Sequence, residues 1–194
     1  MLQNVTSTVK ILFWINVVLF LMTYFGGMVG IPFLDYGALF PISSPNFHVY
    51  QFITSMFLHG GWLHIIFNMM ALISIGPDVE TQLGERKFLL FYILMGLGAA
   101  IAQLSFTSGA MIGASGAIFG LLIFFAFYNP DAEMMIFPFP IKIKVKYLTA
   151  ILLSIEIGSI IFRLGAGIGH FAHLGGALTG LILYKLDQKF NFNI

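Results

Sequence analysis

Residues 111–120 read MIGASGAIFG, a serine set between glycines inside a strongly apolar chain. Each glycine weakens a helix by about 1 kcal/mol relative to alanine, and a hydroxyl turned to lipid gains little, so the stretch requires close packing or chemistry. Reading outward, no charge appears from residue 88 to residue 130, long enough for two membrane crossings at about 20 residues each. Residues 11–34 are equally free of charge. Across all 194 residues, 59% are hydrophobic and 9% charged. The mean hydropathy is +0.95. A soluble domain carries about a quarter of its residues as charges, so the composition is that of a membrane protein.

The same figures exclude several functions. Net charge is +1, and no Lys/Arg cluster alternates with aromatics, so the electrostatic footprint of nucleic-acid binding is missing. Cysteine is absent, which removes disulfides and thiolate chemistry. Lys10 precedes the apolar ILFWINVVLFLMTYF, but the apolar stretch continues to residue 34, beyond a signal-peptide core of about 7–15 residues, and lacks an Ala-x-Ala exit. A first crossing is the expected reading.

Apolar length and helix breakers predict an all-α membrane protein, a polytopic bundle of six transmembrane helices in one domain over residues 1–194. The crossings are expected near residues 11–30, 52–75, 88–106, 115–128, 147–162 and 171–184. Residues 31–51 are too polar and proline-broken to span, yet rich in aromatics that suit the headgroup region, and are expected to form an interfacial loop. With the N-terminus inside, Lys10, Arg86, Lys87, Lys142, Lys144, Lys146, Lys185 and Lys189 all fall on the cytoplasmic side, and Arg163 alone falls outside. This bias supports an even number of crossings, with both termini cytoplasmic and the plasma membrane as the expected location. The fourth and sixth crossings are expected to be short, about 14 residues or roughly 21 Å each, so their outer ends should lie below the membrane surface at the mouth of a cavity.

Two of these crossings carry small residues at i, i+4 spacing: Gly116 and Gly120 on one, Ala172, Gly176 and Gly180 on the other. That spacing allows two membrane helices to approach closely. Packing explains the glycines but not their companions, since Ser115 opens the first helix and His173 stands one turn before Gly176. Contact between the helices would bring hydroxyl and imidazole together. A second cluster, SMFLHGGWLHIIFNMM, holds His59, His64 and Asn68. His64 and Asn68 share a helix face, whereas His59 precedes Gly60-Gly61 and is expected to brace a loop by hydrogen bonds. His170 and His173 could share an ion, but no carboxylate or cysteine accompanies them and zinc usually takes three or four ligands, so neither metal nor cofactor is expected. A lipase-type Gly-x-Ser-x-Gly elbow fails because Ala117 stands where glycine is needed.

FLHGGWLHIIFN, GASGAIFG and AHLGGALTG, in that order on the second, fourth and sixth crossings, together resemble the rhomboid family of intramembrane serine proteases. The resemblance implies a dyad of Ser115 as nucleophile and His173 as general base. Asn68, His64 and the Ser115 backbone N–H would stabilise the oxyanion, with Gly113, Gly116, His59 and Phe119 in support. The implied base precedes the small-residue run of AHLGG, which selects His173 over His170. Phe119 matches a position whose ring can stack on the base, or is ordinary core. One departure stands in the first loop, where many relatives carry Trp-Arg and this chain has Tyr50-Gln51. Asp35 and Glu156 are the acids outside the cytoplasmic set, so no third triad member is evident, and Glu156 is expected to have a neutral or water-facing structural role. The implied substrates are transmembrane proteins of the lipid bilayer, cut where a helix unwinds. The alternative on the same scaffold is a catalytically inactive protein that binds transmembrane helices. A histidine-lined transporter or channel is a weaker third reading.

Overall fold

The structure is a computed structural model describing residues 5–136, 141–165 and 169–190. Its elements are α1 (Ser7–Met28), α2 (Phe33–Gly37), α3 (Gln51–Thr54), α4 (Trp62–Leu83), α5 (Glu85–Phe106), α6 (Ser115–Tyr128), a hairpin of β1 (Glu133–Ile136) and β2 (Ile141–Lys144), α7 (Val145–Phe162) and α8 (His170–Phe190). The hairpin is antiparallel, pairing Glu133 with Lys144. The fold is thus the expected helical membrane bundle, with α1, α4, α5, α7 and α8 as long helices and α6 as a short one. Of these, α1, α4, α5 and α7 are long and apolar enough to cross a membrane.

The shortest of the six, α6, forms the core. Every residue from Gly116 to Ala126 except Phe119 is buried, the pattern of a helix enclosed by its neighbours. Helices α8, α5 and α4 pack around it, α1 lies against α4, and α7 rests on α6 and α8. The small-residue spacing does what its geometry requires: a Cβ on Gly176 would stand 1.9 Å from the Gly116 carbonyl oxygen, and one on Gly180 would stand 2.2 Å from that of Gly120. The two backbones touch, and the first turn of α6 is held against the first turns of α8.

Helix boundaries differ from expectation in two places. The second crossing begins at Trp62, because Gly60-Gly61 breaks the chain and residues 51–57 form α3 and a 3-10 turn. The sixth is not short: α8 runs for 21 residues, past Tyr184 and through Lys185, Asp187 and Lys189. The charges extend it because Lys87 at the start of α5 pairs with Asp187, both side chains being about nine-tenths buried. Only α6, at 14 residues, is short in the sense expected.

At the same end of the bundle, the Glu80 carboxylate caps α1 from α4. It accepts the Thr8 and Val9 backbone N–H groups, each at 2.9 Å, and the Thr6 hydroxyl. A helix N-terminus has unpaired N–H donors and a positive dipole end, and no side chain within α1 supplies the acceptor.

Candidate active site

The segment entering α6 is fixed from three sides. Leu39 and Met111 exchange two backbone hydrogen bonds of 2.9 Å, and the Gly113 N–H donates to the Ser55 carbonyl at 2.8 Å. Gly113 has φ +123°, and a Cβ there would lie 2.7 Å from Nε2 of His64. Glycine is therefore required by backbone conformation and by the imidazole beside it. Ser115 is the first residue of α6, so its N–H belongs to the unpaired donors of a helix N-terminus.

The Ser115 hydroxyl is 2.8 Å from Nε2 of His173, across 58 residues of sequence. The His173 ring stacks on Phe119 at 4.4 Å between centroids and 8° between planes, which limits its rotation. Its backbone N–H closes the first turn of α8 onto the Gly169 carbonyl at 3.0 Å.

A cavity of about 720 Å3 opens at this pair, with His64, Asn68, Gln103, Ser115 and His173 on its walls. The Gly60 N–H approaches Nδ1 of His64 at 3.5 Å, and Nε2 of the ring is the nitrogen beside Gly113. One amide proton of Asn68 is used by the His64 carbonyl at 2.9 Å, leaving the other for the cavity. His59 is nearly fully buried and meets His64 edge-on at 4.9 Å. It packs in the loop beside His64, and its imidazole also meets the Phe57 backbone.

Glu156 corrects the sequence reading most. It was expected to stand alone, and His170 and His173 were expected to lack a carboxylate companion. In the structure Glu156 is buried on α7, with Oε2 2.5 Å from Nδ1 of His170 and Oε1 2.9 Å from Nδ1 of His173. The second contact has the length of an ion pair but lies off the line of a hydrogen bond. A carboxylate among apolar residues must pair, and two imidazoles one helical turn apart offer both partners. The ligand atoms of Glu156, His170 and His173 lie within 4.8 Å of one another, close enough to hold a metal ion. Here they already face each other, and the outer nitrogens face Ser115 and the Leu164 carbonyl. Gln103 was also missed: it is buried and lines the cavity, with its Oε1 unpaired among the described residues.

The first-loop departure has a structural answer. Gln51, fully buried, accepts the Phe40 and His48 N–H groups at 3.3 and 3.1 Å and donates to the Tyr36 and Asn46 carbonyls at 3.2 and 2.8 Å. One neutral side chain thus binds the loop over residues 31–51 to itself, and the Leu39–Met111 bridge fastens that loop beside Ser115.

Residues 46–189 match the Rhomboid domain. The chain belongs to the rhomboid family. It is 34% identical over 135 residues to RHOMBOID-like protein 2 of Arabidopsis thaliana, covering 69% of this chain and 41% of that protein. It is 31% identical over 131 residues to Rhomboid protease GluP of Bacillus subtilis, covering 68% and 24%. It is also 27% identical over 145 residues to Rhomboid protease GlpG of Haemophilus influenzae, covering 75% and 73%. The chain thus spans less than half of the Arabidopsis and Bacillus relatives. Membership of this family and the apolar helices make it an integral membrane protein, and the relatives GluP and GlpG are named as proteases.

Proposed function

We infer that this chain is an active intramembrane serine endopeptidase that hydrolyses peptide bonds in or near the transmembrane helices of membrane-protein substrates. The observation that carries this reading is the 2.8 Å approach of Ser115 Oγ to His173 Nε2 at the wall of a cavity. A serine hydroxyl is a weak nucleophile until a neutral imidazole takes its proton. As Oγ bonds to the substrate carbonyl carbon, its proton passes to Nε2 and the carbonyl electron pair becomes the oxyanion. Collapse of that intermediate expels the amine, which takes the proton from Nε2, and leaves an acyl group on Ser115. Water repeats the sequence to free the acid.

The oxyanion needs donors already in place. Nε2–H of His64, the second amide proton of Asn68 and the Ser115 N–H serve that purpose, each worth about 3–4 kcal/mol of barrier in a dry site. The stacked Phe119 keeps the base aligned. A helix-binding scaffold without catalysis has no use for a histidine held against the serine hydroxyl.

Substrate must enter sideways from the bilayer and unwind locally to present a carbonyl to the cavity, which favours small or helix-breaking residues near the cut. Both termini are placed in the cytoplasm by the positive-inside bias, and the cavity then opens toward the extracytoplasmic side of the plasma membrane. The test is cleavage of a single-span substrate in liposomes. The wild type cleaves, while Ser115→Ala and His173→Ala do not; cleavage undiminished in Ser115→Ala refutes the function.

A further inference from the structure

Glu156 has no part in the two-residue chemistry above, yet its carboxylate stands between both imidazoles of α8. His170 explains how a membrane helix tolerates it. Nε2 of His170 faces the Leu164 carbonyl at 3.1 Å, and its Nδ1 faces Oε2 of Glu156 at 2.5 Å. A carbonyl only accepts, so Nε2 carries a proton, and the Nδ1–Oε2 contact requires one more between its two atoms. Glu156 and His170 hold that proton jointly, so the pair is neutral overall and avoids the cost of an isolated buried charge. Oε1 remains as an acceptor beside His173.

His173 presents the complementary need. Its Nε2 must carry a lone pair to take the serine proton, so its single ring proton belongs on Nδ1. That nitrogen is buried, with Oε1 of Glu156 at 2.9 Å as its polar neighbour. We propose that Glu156, held in place by His170, is a positioning residue that fixes the Nδ1–H tautomer of His173 and faces the imidazolium formed during attack. This rests on the Ser115–His173 reading and extends it to a relay of Ser115, His173 and Glu156. No proton leaves His173 toward Glu156: the serine proton arrives at Nε2, departs with the leaving amine, and the Nδ1 proton stays. Because Glu156 lies on α7, the least buried of the four long apolar helices, the position of that helix sets the alignment of the base.

The experiment combines three readouts on the full chain in detergent: fluorophosphonate labelling of Ser115, kcat and KM for a cleaved substrate, and 15N NMR of histidine-labelled protein. Wild type is expected to label and to show His173 as the Nδ1–H tautomer. Glu156→Gln keeps the shape but removes the anion. It is expected to lose on the order of 10²-fold in kcat with KM unchanged, to label correspondingly more slowly, and to lose the preference for the Nδ1–H tautomer. Glu156→Asp should restore part of each. Wild-type labelling combined with an unaltered kcat and Nδ1 signal in Glu156→Gln overturns this proposal and leaves the dyad standing. Failure of the wild type to label overturns the dyad itself. Should the glutamine variant not fold, the wild-type spectrum decides, since an Nε2–H tautomer of His173 contradicts the proposal directly.

Discussion

At the scale of single residues, the site depends on atoms that sequence spacing alone cannot bring together. Gly113 is the sharpest case, because two independent constraints meet there: its φ of +123° and the His64 imidazole 2.7 Å from any added Cβ. Gly113→Ala is expected to cost on the order of 1–3 kcal/mol of stability and to abolish cleavage by displacing His64. Thermal unfolding and substrate turnover on the same preparation check both parts, and an active, equally stable variant contradicts them. Ser115, His173, His64 and Asn68 could be singled out from the sequence because each sits in a short motif whose neighbours share its purpose. Glu156 was not legible in this way. It lies 14 residues from His170 on another helix, flanked by isoleucines, so nothing in the spacing tied it to the two histidines.

Among the helices, the α6–α8 contact is the one on which the site depends. Gly176→Ala places a methyl against the Gly116 carbonyl oxygen, an overlap that side-chain motion cannot relieve. We expect a loss of about 1–3 kcal/mol or more, with turnover lost because Ser115 and His173 separate. A variant with wild-type unfolding temperature and turnover refutes this packing. Glu80→Ala makes the contrasting prediction: it leaves buried donors at the start of α1 unpaired, costing about 1–3 kcal/mol, but it lies roughly 18 Å along α4 from Asn68 and should leave kcat unchanged once folded. The start of α6 was readable from the chain because glycine spacing and the serine coincide there. The end of α8 was not, because Lys185 and Asp187 resemble a boundary until Asp187 is seen paired with Lys87. Likewise, the apolar residues before Trp62 masked the break that Gly60-Gly61 makes.

Over the whole molecule, polar groups gather at the two ends of an apolar bundle, and each end serves a different purpose. One end is structural: Glu80 caps α1, Lys87 meets Asp187, and Asp131 joins Lys146 and Lys144 at 2.8 and 3.0 Å beside the hairpin. Hydrogen bonds from Lys146 and then Lys144 lower the Asp131 carboxyl from its ordinary 3.8 to about 2. Because the folded value is depressed, this contribution to stability is present above about pH 4 and is lost as pH falls through about 2. Carboxyl NMR titration should show that midpoint, and Asp131→Asn should remove it together with the acid-side loss of stability. A midpoint at the ordinary value contradicts the pairing. The other end holds the cavity, the pinned loop and the buried histidines. The single measurement closest to the central claim is fluorophosphonate labelling of the reconstituted chain. We predict modification at Ser115 that disappears in His173→Ala, while labelling elsewhere, or labelling of Ser115 that persists without His173, contradicts it.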